Sequence, residues 1–369
     1  MNQFRYFMPT DTYFGRGCIK ANQDVLRRYG TKAMLVTGKT SAKKNGAQKD
    51  VTEALDALGI AWVVFDEIGE NPDVETVVRA AEVAKAEQVS FFIGIGGGSP
   101  MDASKAIAVL AANPNEDSNI LFADASAKAL PVVAVPTTAG TGSEVTQYAI
   151  LTLHKQRTKS GIAMPVFAEA AFLDPQYMDT LSAKITNNTA VDAMSHLVES
   201  YLSSHANTVS EKIAEMGLLH WKAVIPALRA RRYTAEDRDN LMLASAFGGA
   251  AIAQTSTSIP HALGYFLTYE KAIPHGRANG MVMRGYLELF GSHHAKVERI
   301  LYCLGLDNLE SFGVLLEEIL DTEETFVPEE IAYYAKRAME NPKKMATFPE
   351  FALQESDIVE IYRKSLKMK

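Results

Sequence analysis

A chain of 369 residues with 44 acidic against 37 basic side chains, a formal net charge of −7, presents no basic footprint for nucleic acid or an anionic membrane surface. Its 47% hydrophobic and 22% charged residues are a globular balance, and no apolar run approaches the ~20 residues of a membrane span. Two cysteines, Cys18 and Cys303, exclude a thiolate zinc cluster and fit a reducing compartment.

The opening residues, MNQFRYFMPTDTYFG, lack a basic segment followed by an apolar one, so a cytoplasmic location is expected. Four β-rich runs follow in chain order: AMLVT (33–37), AWVVFD (61–66), VSFFIGIG (89–96) and PVVAVP (131–136). Between them, residues 48–60 and 71–88 carry apolar side chains at helical spacing, with Asn71 or Pro72 marking a helix start. Strand–helix alternation predicts a largely parallel sheet covered on both faces. From Ser182 onward the pattern becomes helical over 182–204, 209–232 and 237–254, with no strand expected. The boundary falls near LDPQYMDTLS (173–182), giving an α/β domain over 1–180 and an all-α domain over 181–369. No repeat or flexible linker separates the halves, so a ligand is expected in a cleft between them.

The segment GIGGGSPMDASKAIAVLAA (94–112) lies where the third expected strand gives way to a helix. Gly96, Gly97 and Gly98 let backbone approach a pyrophosphate, and the helix terminus adds free N–H groups and a positive dipole. Ser99 is expected as N-cap, Pro100 at N1 and Asp102 at N3. A lone glycine pair here would be only a tight turn; three glycines in this context favour a phosphate cradle. Ser99 stands where the third glycine of G-x-G-x-x-G belongs, so this is not the standard dinucleotide fingerprint. A second loop, PTTAGTGSEVT (136–146), follows the fourth expected strand and is by itself as readily a plain turn. Two such loops at the carboxyl ends of parallel strands fall where open α/β sheets bind ligands.

In AVDAMSHLVESY, Asp192 and His196 are four residues apart on a helical stretch and share one face. Alone they are more readily ordinary helix-surface polarity. Downstream, His261 and His275 could complete a set of one carboxylate and three imidazoles, which suits Fe²⁺ or Zn²⁺ better than Ca²⁺ or Mg²⁺. A dication less one carboxylate leaves about +1, which would stabilise a substrate alkoxide. His154, His205, His220, His293 and His294 show no comparable spacing and are read as structural or surface residues.

Four motifs together, GGGSPMDASK (96–105), PTTAGTGSEVT (136–146), TNNTAVDAMSHLVESY (186–201) and HALGYFLTYEKAIPHG (261–276), resemble the iron-containing (group III) alcohol dehydrogenase family of the dehydroquinate synthase-like superfamily. The resemblance implies a Rossmann-like, nucleotide-binding N-terminal domain and a helical, metal-binding C-terminal domain. It implies Asp192, His196, His261 and His275 as metal ligands, with iron suggested by the family and zinc accepted by the same donors. It further implies Gly96, Gly97, Gly98, Ser99 and Asp102 as the pyrophosphate loop. Thr137, Thr138, Thr141 and Ser143 take the place of a hydroxyl loop near the nicotinamide, and Lys159 that of a cofactor-contacting lysine. A homodimer and a small alcohol or aldehyde substrate are implied as well.

Two departures stand out. Many members carry a histidine one turn after the third ligand; here Tyr265 occupies the place, and a phenol of reference pKa ~10 is a poorer proton relay at neutral pH. Tyr265 either passes a proton or lines the pocket. Members resembling NAD-specific enzymes carry aspartate after the first strand, whereas this chain has Gly38, with Lys39, Lys43 and Lys44 nearby. Neutral space beside cations favours NADP over NAD, unless those lysines are only a solvated face. The rival readings are a glycerol dehydrogenase-like polyol oxidoreductase, a dehydroquinate synthase-like lyase and an inactive nucleotide-binding paralogue.

Overall fold

The computed structural model describes residues 3–123, 125–156, 158–291 and 293–369, which form two compact units. One comprises Met8–Leu181; the other comprises Ser182–Lys369 together with the segment ending at Phe7.

The Met8–Leu181 unit holds strands β1 (Asp11–Phe14), β2 (Lys32–Thr37), β3 (Ala61–Phe65), β4 (Phe91–Gly96), β5 (Val132–Pro136), β6 (Ile150–Leu153), β7 (Thr158–Gly161) and β8 (Ala170–Leu173). Six of them form one sheet in the order β1-β8-β5-β4-β2-β3, every neighbouring pair parallel. A parallel sheet is covered on both faces, and β2 shows why its residues are apolar without alternation. Ala33 and Leu35 pack into one core with Val51, Leu55 and Leu58 of the Ala47–Leu58 helix. Met34 and Val36 enter the opposite core with Val77 and Ala81 of the Val74–Ala86 helix and Ile107 of the Gly98–Ala112 helix. The expected helix start at Asn71 or Pro72 moves to Asp73, whose carboxylate accepts from Thr76 N at 2.7 Å.

Residues 11–14 and 170–173 were not expected as strands, yet they pair with each other and form one side of the sheet. Both are four residues long and carry no extended period, and only a neighbouring strand gives them their conformation. An antiparallel hairpin, β6 with β7, also went unforeseen.

The second unit is helical, beginning with the Ala183–Leu202 helix, which Ser182 caps through Ile185 N at 3.3 Å. It continues through Thr208–Ala230, Ala235–Thr255, Ile259–Lys271 and His275–Glu288. One small correction applies: Thr325–Phe326 and Lys367–Met368 form a two-residue parallel pair where no strand was expected. The Ala183–Leu202 helix is buried continuously from Ala190 to Leu202, so it is the interior element of this unit. Asp192, His196 and Glu199 are its buried carboxyl and imidazole groups, and an ionisable side chain kept from water requires partners. Among the described residues, no helix is long and apolar enough to cross a membrane.

Candidate functional site

Asp192 and His196 lie on the buried Ala183–Leu202 helix, His261 one turn into the Ile259–Lys271 helix, and His275 at the first residue of the His275–Glu288 helix. Asp192, His261 and His275 place their ligand atoms within 4.8 Å of one another, although 69 residues separate the first two in sequence. Asp192 Oδ1 is 3.7 Å from His261 Nε2 and 3.9 Å from His275 Nε2. His196 stacks on His261 with ring centroids 4.6 Å apart, and so stands beside the trio. Tyr265 lies nearly parallel to His275, with centroids 5.3 Å apart and an interplanar angle of 19°. Helical spacing accounts for Asp192 with His196; only packing accounts for the other two imidazoles.

Burial opposes ionisation of Asp192, but the imidazoles of His196, His275 and His261, with a hydrogen bond from Asn279, hold its carboxyl below the usual range. His261 is pushed well below the usual imidazole range, first by burial and then by the neighbouring His196. It is therefore neutral, with one nitrogen lone pair available. Its Nε2 is buried and has no hydrogen-bond partner, a costly condition unless something accepts the lone pair. A borderline divalent cation fits that donor set of carboxylate and imidazole.

Two residues around the trio escaped the sequence reading. Asn279 Nδ2 donates to Asp192 Oδ1 at 3.0 Å and lies 3.2 Å from His275 Nε2. Glu199 meets His261 Nδ1 at 2.5 Å, and burial raises its carboxyl above the usual carboxylate range, against the opposing hydrogen bond from Ser258 N–H. A carboxylate three residues after an imidazole and seven after Asp192, on the same helix face, was the available signal for Glu199. Asn279 left none. The remaining histidines lie outside this trio; His154 is 3.7 Å from Asp73, and His220 Nδ1 meets Asn240 Oδ1 at 2.8 Å.

In the α/β unit, the glycine segment corrects two expectations, the capping roles of Ser99 and Asp102. The helix begins at Gly98 with Gly97 as N-cap, so Ser99 is the second helical residue and no side chain caps the terminus. Ser99 Oγ instead accepts from Asn71 N at 3.2 Å. Asp102 does not cap either: it accepts from Ser143 Oγ at 2.5 Å and from Ile150 N at 2.9 Å. The reason is packing of the second loop onto the first. A Cβ at Gly97 would stand 3.2 Å from Thr138 Oγ1, and one at Gly98 would stand 2.8 Å from Thr141 Cγ2. The glycines admit this loop as well as leaving the helix N–H groups open to an anion.

Lys105, also missed, organises that loop. Its buried ammonium donates to Ser143 O, Thr146 O and Tyr148 O at 2.7–2.9 Å and to Ser143 Oγ at 3.0 Å. Burial lowers Lys105 to about 8, against the attraction of Asp102 and Glu144, and raises Glu144 to about 7. Thr137 is buried, its N–H donating to Gly96 O at 2.8 Å. Lys159 Nζ donates to Asn71 Oδ1 at 2.7 Å, so Asn71 joins Lys159 to Ser99. Gly38 follows β2, and a Cβ there would meet Ile68 O at 3.3 Å. Lys39, Lys43 and Lys44 are exposed, and Lys43 pairs with Asp66 at 2.6 Å.

A family model described as iron-containing alcohol dehydrogenase matches residues 9–175, and its companion, the C-terminal part of the Fe-containing alcohol dehydrogenase family, matches residues 186–366. Lactaldehyde reductase of Escherichia coli K12 is 31% identical over 310 residues, covering 80% of this chain and 79% of the relative. The solved structure of an iron-containing alcohol dehydrogenase from Thermotoga maritima superposes with a TM-score of 0.91 at 36% identity, covering 99% of each chain. That of a sulfoacetaldehyde reductase from Bifidobacterium kashiwanohense in complex with NAD+ gives 0.87 at 26% identity, again over 99% of each chain.

Proposed function

Because the chain belongs to the iron-containing alcohol dehydrogenase family, we propose that it interconverts a small alcohol and its aldehyde by hydride exchange with a nicotinamide dinucleotide. The observation that carries this reading is the gathering of Asp192, His261 and His275 within 4.8 Å, with a buried His261 Nε2 that has no partner. These three residues, with His196 beside them, would hold a divalent metal, Fe²⁺ in keeping with the family or Zn²⁺ by the same donor chemistry. When bound, the metal supplies Lewis acidity toward the substrate oxygen, and the nicotinamide supplies or takes up the hydride.

The chain's own residues do the rest. Asp192 stays ionised and contributes one negative charge, while burial keeps His261 neutral and able to donate a lone pair. Tyr265, stacked on His275, supports that imidazole and is the candidate to pass the alcohol proton. In the α/β unit, Gly96, Gly97, Gly98 and Ser99 form the pyrophosphate cradle, while Thr137, Thr138, Thr141 and Lys159 belong to the cofactor's surroundings. Asp102 and Ser143 serve by fixing the second loop to the first. Gly38 with the nearby Lys39 and Lys44 supports NADP(H) over NAD(H), since a neutral position beside cations leaves a 2′-phosphate unopposed. A cytoplasmic homodimer is the expected form.

The experiment is anaerobic purification with metal analysis, followed by a panel of alkanols, diols, glycerol and aldehydes with each cofactor. His261→Ala should abolish turnover while cofactor binding stays measurable. Full activity in a metal-analysed sample of that variant refutes the assignment.

A further inference from the structure

Glu199 lies one turn past His196 on the stripe that carries Asp192, so helical spacing brings a second buried carboxylate to the same place. It is not one of the three groups within 4.8 Å, and both of its oxygens have partners. Oε2 accepts from Ser258 N at 2.5 Å, and Oε1 meets His261 Nδ1 at 2.5 Å. Its side chain has 0% exposure, and water does not compete for either contact.

A neutral imidazole carries one N–H, and the partner of one nitrogen decides the state of the other. A carboxylate oxygen at Nδ1 makes that nitrogen the donor and leaves Nε2 with its lone pair. That lone pair is the buried atom without a partner, 3.7 Å from Asp192 Oδ1. Resting on the metal-centre reading above, we propose that Glu199 is a positioning residue. It holds His261 in the Nδ1–H tautomer and fixes the ring so that Nε2 serves the metal.

The support extends one layer further. Ser258 N, the second donor to Glu199, belongs to a loop tied down from the C-terminal part of the chain. Lys344 Nζ donates to Thr257 O at 2.6 Å and to Ser256 Oγ at 3.2 Å, and Thr347 Oγ1 donates to Ser258 Oγ at 3.0 Å. The Lys344 ammonium also attracts Glu199 electrostatically, offsetting part of the cost of a buried carboxylate.

Glutamine cannot replace this carboxylate despite its equal size. It has one acceptor oxygen for two donors, so either Ser258 N–H loses its acceptor or an amide N–H faces His261 Nδ1. The second arrangement forces the Nε2–H tautomer, which closes the lone pair to a metal.

The test measures Fe²⁺ and Zn²⁺ affinity by chelator competition in the full-length wild type and in Glu199→Gln, with melting curves in excess chelator. We expect one tightly bound dication in the wild type, metal affinity 10–100-fold weaker in the variant, and a folded variant protein. Equal affinities overturn the positioning role and leave the metal centre standing. A wild type that binds no dication overturns the metal-centre reading, and this proposal with it. Should Glu199→Gln not fold, long-range ¹H–¹⁵N spectra of the histidine-labelled wild-type apoprotein at pH 8.5 decide. An Nδ1–H tautomer at His261 supports the role, and an Nε2–H tautomer overturns it.

Discussion

Substituting Gly276 by alanine tests whether close helix packing sets the spacing of the metal candidates. A Cβ at Gly276 would stand 2.1 Å from Asn188 O and 2.7 Å from Asp192 Cβ. The first obstacle is backbone inside a buried helix and cannot swing aside, so the start of the His275–Glu288 helix must retreat by about 1 Å. His275 is the adjacent residue and retreats with it, away from an Asp192 Oδ1 already 3.9 Å distant. Overpacking of this kind costs about 1–3 kcal/mol. Metal–ligand distances tolerate only ~0.2 Å, so the loss of affinity should exceed what the fall in stability alone would give. The assays are chelator competition for Fe²⁺ and Zn²⁺ and melting in excess chelator. We expect metal affinity at least tenfold weaker and a lower melting temperature. Wild-type affinity together with an unchanged melting temperature would show that this contact does not position His275.

Other outcomes can be worked out in the same way. Glu144 holds its proton more tightly folded, at about 7, than at its ordinary 4.5, so folding stability falls as pH rises between these values. The difference corresponds to about 3 kcal/mol. Glu144→Gln should therefore gain up to that amount over wild type at pH 8, less what Lys105 loses in attraction, with the advantage vanishing near pH 4.5 in urea titrations. Lys105→Met leaves Asp102 without its countercharge and three carbonyls without their donor, for roughly 3–5 kcal/mol. Its melting temperature should drop by roughly 6–20 °C with weakened nicotinamide binding, and a drop of under two degrees contradicts the organising role. Gly38→Asp should lower NADPH affinity at least tenfold while sparing NADH, as read by fluorescence titration; equal losses for both would point to the crowding at Ile68 O instead. Tyr265→Phe should lower kcat and alter its pH profile if the phenol passes the proton. An unchanged profile leaves only the stacking on His275.

Local chemistry made much of this protein legible. Continuous apolar runs such as AMLVT and SFFIGI can only be interior strands or short buried helices, and their alternation with amphipathic segments selects a parallel sheet. The i, i+4 spacing of Asp192 and His196 is local in the same sense, because one helical turn fixes it. The short β1 and β8 were not legible, since four residues acquire strand character only from a neighbour supplied by the rest of the chain. The role of Asp102 was misread for a related reason: its spacing fits a helix cap, but Ser143 and Ile150 reach its carboxylate from 41 and 48 residues away. The tertiary structure alone decided which imidazoles meet Asp192, and it brought in Glu199 and Asn279 as their supports and Lys105 as the organiser of the loop in the α/β unit. Helical period carries information over a few residues, whereas the convergence of separate helices depends on glycine contacts and buried polar partners that no spacing encodes.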